Sequence, residues 1–67
     1  MNELMVCIND PGNYSWGYYK TNKTTAKEAF AEFSRALESI GFNDDNIHYG
    51  KAVLRDKNLN DIDEYEP

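Results

Sequence analysis

TAKEAFAEFSRALESIG, residues 25–41, is the segment that decides the fold of this 67-residue chain. Thr25 followed by Glu28 matches a capping box at the start of a helix, and Gly41 suits the left-handed residue that ends one. Between them, apolar residues recur at spacings of three and four, which is the period of a helix with one apolar stripe. The segment therefore predicts an amphipathic helix that covers one side of a sheet. The stripe consists of Ala26, Ala29, Phe30, Phe33, Ala36, Leu37 and Ile40.

The run LMVCI near the N-terminus predicts the central strand of that sheet. It has the length and composition of a strand. Leu4, Val6 and Ile8 would share one face, and Met5 and Cys7 the other. A strand with one wet face would alternate with polar residues. Because both alternating sets of residues in this run are apolar, we expect both faces of the strand to be at least partly covered.

Two further strands are predicted on either side of the helix. The Pro-Gly pair at 11–12 is typical of a type II turn. Residues 14–21 would then form a hairpin with the first strand, since they are aromatic and β-prone. Residues 47–55 read as a third strand. Gly17 indicates a bulge or a close backbone approach, and Gly50 a bulge.

The order of elements predicts a small two-layer α+β domain over residues 1–57. It has β-β-α-β connectivity and a three-stranded antiparallel sheet in the order 2-1-3, which places the doubly apolar strand in the middle. One helix lies on one face. Residues 58–67 are predicted to be an acidic C-terminal tail that is partly ordered or flexible. The expected core joins Leu4, Val6 and Ile8 to Phe30, Phe33, Leu37 and Ile40.

Charge and hydropathy exclude several classes of function. The chain carries 7 Lys and Arg against 12 Asp and Glu, a net charge of −5. Direct nucleic-acid binding is therefore not expected, because phosphate contacts need clustered cations. No apolar run approaches the roughly 20 residues that span a bilayer, and there is no signal peptide pattern. We expect a cytoplasmic protein without membrane association.

Metal and catalytic sites are not expected either. Cys7 and His48 fall short of the four Cys and His ligands of a structural zinc site. As a nucleophile and base the pair is poorly placed, because a thiol in mid-strand behaves as a small hydrophobe. The segment from Asp56 matches three positions of a calcium loop, but Asp61 stands where Gly is needed and Pro67 where Glu is needed. We expect no enzyme activity, no metal and no cofactor.

The sheet face that the helix cannot reach is the predicted functional surface. Met5, Trp16, Tyr18 and Tyr49 are expected there. Uncovered apolar faces mark interaction sites, and Trp and Tyr are enriched at interface hot spots. We therefore predict a non-enzymatic regulatory or interaction module that binds a protein partner or itself, as a homodimer. Two alternatives stay open: the tail or the tyrosine rings cover this face, or bases stack on it as in sheet-based RNA readers.

Acidic residues in the last third of the chain support an alternative function. A negative surface could occupy the basic groove of a nucleic-acid enzyme, as an inhibitor or nucleic-acid mimic. The simpler interpretation is a solvated tail. The small size, the acidity and the lack of catalytic residues are typical of accessory proteins of phages and mobile elements. The predicted acidic surface consists of Asp44, Asp45, Asp61, Asp63 and Glu64.

Overall fold

The computed structural model describes residues 1–42 and 47–67 of the chain. Within these residues, one helix packs on an antiparallel sheet of four strands in the order β2-β1-β3-β4. The predicted α+β class and the central place of the first strand are confirmed, whereas the predicted count of three strands is wrong. The elements are β1 (Asn2–Asp10), β2 (Asn13–Thr21), α1 (Ala26–Ser39), β3 (His48–Arg55) and β4 (Asp61–Tyr65).

β4 is the strand that the sequence prediction missed. It pairs with β3, so that Val53 lies opposite Glu64 and Leu54 opposite Asp63. An edge strand takes its backbone hydrogen bonds from its neighbour, so it forms without a strongly apolar pattern. Part of the segment that was predicted to be an acidic tail is therefore a strand of the sheet.

The core lies between α1 and one face of the sheet. Leu4 and Val6 of β1 are fully buried, as are Ala52 and Leu54 of β3. These strand residues alternate with others that point to the opposite face, as the strand period requires. The predicted contribution of the helix to this core is confirmed for Ala26, Ala29 and Phe33, which are buried, and for Phe30 and Leu37, which pack against them.

Both ends of α1 have the predicted caps. The hydroxyl of Thr25 accepts a hydrogen bond from the Glu28 N–H at 3.3 Å. Gly41 has φ +80°, and the N–H of the next residue donates to the Leu37 carbonyl at 2.9 Å. This is the bond pattern of a Schellman motif. The predicted core contact of Ile40 is wrong, because this residue forms the C-cap and is 76% exposed.

Three glycines serve three different purposes. Gly12 has φ +91°, as the predicted type II turn requires. Gly17 allows a close approach, since a Cβ there would lie 2.9 Å from Cδ1 of Ile8. Near Gly50 the pairing of β3 with β1 shifts by one residue, so that Cys7 faces a bulge. The predicted bulge at Gly50 is thus confirmed, whereas at Gly17 the register with β1 is regular and the group that approaches is the Ile8 side chain.

Candidate functional site

The open face is the side of the sheet that points away from α1. Its members follow from the strand registers, because residues that lie opposite each other share a face. Apolar side chains occupy its centre on β2 and β1, and charged side chains surround them. It comprises Tyr14, Trp16, Tyr18 and Lys20 of β2, Glu3, Met5, Cys7 and Asn9 of β1, His48, Lys51, Val53 and Arg55 of β3, and Asp61 and Glu64 of β4.

Three exposed aromatic rings lie on the open face: Trp16 and Tyr18 at its centre, and Tyr14, which is 80% exposed, at the turn end of β2. Trp16 is 52% exposed and Tyr18 is 58% exposed. Trp16 lies opposite Cys7 and Tyr18 lies opposite Met5, and both β1 partners are only partly covered. The structure therefore brings together three of the four predicted partner-binding residues, Met5, Trp16 and Tyr18. The rings of Trp16 and Tyr18 lie two residues apart on β2, so they form one surface that an apolar patch of a partner can cover.

Tyr49 belongs to the opposite side of the sheet. Its ring contacts Phe30 and Phe33 of α1, with centroid distances of 5.4 and 6.0 Å. Its predicted place on the open face is wrong because the bulge at Gly50 inverts the alternation of β3. Residues before the bulge then point the other way from those after it. Burial under the helix also raises the pKa of the Tyr49 hydroxyl.

Ion pairs border the apolar centre of the open face. The carboxylate of Glu3 lies 2.7 Å from Nη2 of Arg55 and 3.2 Å from Nζ of Lys20. Arg55, and then Lys20, hold the pKa of the Glu3 carboxyl below its usual value. Lys51 and Glu64 form a second pair at 2.8 Å. The face thus holds paired charges of both signs, although the chain as a whole is strongly acidic.

Of the predicted acidic residues, the structure describes Asp61, Asp63 and Glu64, and each of these has a different environment. Asp44 and Asp45 lie outside the described residues. The carboxylate of Asp63 accepts a hydrogen bond from the Ala26 N–H at 2.7 Å, so it caps the N-terminus of α1. Glu64 pairs with Lys51, and Asp61 is exposed at the start of β4. The acidic-inhibitor alternative stays a prediction, with Asp63 used inside the fold.

The first part of the segment that resembles a calcium loop, residues 56–60, is the turn between β3 and β4. The carboxylate of Asp56 accepts hydrogen bonds from the backbone N–H groups of Asn58 and Asn60, at 2.8 and 3.0 Å. These bonds form a side-chain-stabilised turn. Leu59 occupies the left-handed position with φ +66°. Among the described residues, including this turn, no pocket and no cluster of three metal-ligating side chains is found.

Comparisons of this chain with protein-family models, curated proteins and solved structures give no match. Function is therefore inferred from the open face alone. Two structural roles were not predicted from the sequence: Asp63 caps α1, and Glu32 of α1 accepts hydrogen bonds from the Thr21 and Tyr19 hydroxyls of β2. Both residues look like ordinary surface carboxylates, because the backbone and hydroxyl groups that they contact are distant in the sequence. No local pattern could have revealed them.

Proposed function

We propose that this protein is a non-enzymatic interaction module that binds a protein partner, or a second copy of itself, through the open face. The observation that carries this proposal is the exposure of Trp16 and Tyr18, each more than half exposed at the centre of an uncovered sheet face. Burying such rings contributes more to association than burying most other side chains. The helix covers the opposite face, so it does not compete for this surface.

The charges of the open face favour a protein partner over a nucleic acid. Stacking platforms for nucleic acids combine aromatic rings with a positively charged groove. Here Lys20 and Arg55 both contact Glu3, and Lys51 contacts Glu64, so each of these cations already has a carboxylate. Protein interfaces place such paired charges around an apolar centre. The open face has this arrangement.

Site-specific photo-crosslinking tests this proposal. A photoreactive phenylalanine replaces Tyr18 on the open face, or Phe42 beyond the end of α1 as the matched control. Phe42 is also an exposed aromatic residue, but it lies in the loop that follows the helix. We expect a discrete adduct in an extract of the source cells from position 18 and none from position 42. Equal labelling from both positions, or no adduct at either, would refute the open face as a binding surface.

A further inference from the structure

The two edges of the sheet are built in opposite ways. β4 has five residues, and Asp61, Asp63 and Glu64 make it acidic. Short, charged edge strands resist pairing with other chains. β2 has nine residues, NYSWGYYKT, and its first seven carry no charge. A long, uncharged and β-prone edge strand is a template for another strand.

The edge of β2 is accessible over most of its length, since Thr21 at its end is the one buried residue of the strand. The backbone of α1 comes closest to β1, β3 and β4, so the helix does not cover the β2 edge. Residues of an antiparallel strand alternate between those that bond to one neighbour and those whose backbone groups point away from it. Counted from the two-residue turn at Pro11 and Gly12, the outward-pointing residues are Tyr14, Trp16, Tyr18 and Lys20. These are the same residues that form the β2 part of the open face.

We infer that the occupant of this edge is a second copy of the chain. The two β2 strands pair antiparallel about a two-fold axis near Gly17, the middle residue of the strand. Two sheets of four strands then become one continuous sheet, with both helices on the same side. This inference rests on the proposed function, because it makes the open faces of two copies into one surface. It goes further by naming the partner and the contact.

The sequence of β2 is complementary to itself in this register. Trp16 lies opposite Tyr18 of the second copy, and Tyr14 lies opposite Lys20 of the second copy. The first pair is an aromatic cross-strand contact, and the second places a cation beside a ring. Both pairs occur twice because of the symmetry. No two like charges face each other, since Lys20 is the only charged residue of the strand.

The distribution of charge also suits this dimer. Two chains of net charge −5 repel each other, so a stable contact must keep their carboxylates apart. Pairing through β2 places the acidic β4 strands at the two far ends of the combined sheet. Pairing through β4 would instead bring Asp61, Asp63 and Glu64 of both copies together. The β2 edge is therefore the edge that tolerates a second copy.

Sedimentation equilibrium of three proteins tests the inference. Tyr18→Ala removes the ring and keeps the outward N–H, whereas Tyr18→Pro removes both. Proline is tolerated on an edge strand where the N–H faces solvent. We expect the wild-type dimer to have a dissociation constant below about 1 mM. Tyr18→Ala should raise this constant about tenfold, and Tyr18→Pro should stay monomeric. Circular dichroism shows whether each variant is folded.

Amide hydrogen exchange of the wild-type protein gives an independent measurement. The Trp16 and Tyr18 amides become protected as the protein concentration rises if they bond across the edge. The amide of Asn22, beyond the strand, is the control and stays unprotected. If Tyr18→Pro does not fold, this measurement alone decides.

Two results would overturn the edge contact. One is a wild-type protein that stays monomeric at about 1 mM. The other is a dimer in which the Trp16 and Tyr18 amides exchange as fast as in the monomer, since only the open faces would then be in contact. Neither result refutes the proposed function by itself. A cross-linked adduct of position 18 with a different protein would leave that proposal standing.

Discussion

Two carboxylates, Glu32 and Asp63, link the helix to the two edge strands of the sheet. Glu32 of α1 accepts hydrogen bonds from Thr21 at 2.9 Å and from the Tyr19 hydroxyl at 3.0 Å, both on β2. Asp63 reaches from β4 to the first N–H of the helix. Asp63 was predicted to lie on an acidic surface, and no contact of Glu32 with the sheet was predicted. Each residue instead accepts hydrogen bonds from donors that the fold brings to it. For Glu32 these are two hydroxyl groups of β2, and for Asp63 the donor is a backbone N–H at the helix N-terminus.

Glu32 should make stability depend on pH in the acidic range. The hydrogen bonds from Thr21, and then from Tyr19, hold the pKa of its carboxyl below the ordinary value of 4.5. A lowered pKa in the folded state stabilises the protein above 4.5, and this contribution is lost as the pH falls through the folded-state pKa. We therefore expect Glu32→Gln to be less stable than wild type at neutral pH, with a difference that shrinks at acidic pH.

Urea denaturation of both proteins across pH measures this difference. Glu38→Gln is the control with the same chemistry at an exposed position of the same helix. A stability gap between wild type and Glu32→Gln that does not change with pH would contradict the expected role of the carboxylate. NMR titration of Glu32 reads its pKa directly.

At the scale of elements, β4 is more than an addition to the sheet. Its Asp63 caps α1, and its Tyr65 ring lies 5.7 Å from the ring of Phe30. β4 therefore joins the last strand to the helix as well as to β3. It closes the side of the core that a three-stranded sheet would leave open beneath α1.

Asp63→Ala should destabilise the protein by about 1 kcal/mol, because losing a side-chain cap leaves a helix N–H without an acceptor. Thr25 still accepts from the Glu28 N–H, so the helix keeps part of its cap. Chemical denaturation measures the loss. Asp61→Ala, an exposed substitution on the same strand, is the control and should change stability by less than about 0.5 kcal/mol. If both variants lose the same stability, Asp63 contributes only its charge.

At the scale of the molecule, the fold is two layers with one covered face. Phe33 is the aromatic residue at the centre of the covered side. Its ring packs against those of Tyr19, Phe30 and Tyr49, with centroid distances of 5.8 to 6.2 Å. These contacts join β2, α1 and β3 in one cluster. A domain of this size has a small core, so one residue carries a large share of its stability.

Phe33→Ala should unfold most of the protein. Deleting a buried aromatic side chain costs roughly 3–5 kcal/mol. A small domain has a total stability of only about 5 kcal/mol. Thermal unfolding followed by circular dichroism measures the effect. Phe42→Ala removes an exposed ring after the helix and should leave the transition nearly unchanged. A Phe33→Ala variant with a wild-type transition would mean that the packing of α1 on the sheet is wrong.

Local patterns were enough to predict the parts of the fold that depend on neighbours in the sequence. The helix and its caps follow from the spacing within 25–41, and the first turn follows from Pro11 and Gly12. The central strand was predictable because it is apolar on both faces. Met5, Trp16 and Tyr18 of the candidate site were also predicted, because alternation along β1 and β2 is not interrupted.

Only the tertiary structure decided what depends on contacts between distant segments. The polar segment Asp61–Tyr65 becomes a strand because β3 supplies its hydrogen bonds, which its own composition does not indicate. Tyr49 lies on the helix side of the sheet because a bulge at Gly50 reverses the alternation of side chains along β3. The sequence indicates the bulge, but it does not indicate on which face each neighbouring side chain then lies. The outer edge of β2 is free because β2 is the terminal strand of the described sheet, a position that only the strand order decides. The periodicity of apolar residues is a local property of the sequence. Strand pairing, the face on which a side chain lies and its exposure to solvent are properties of the assembled sheet.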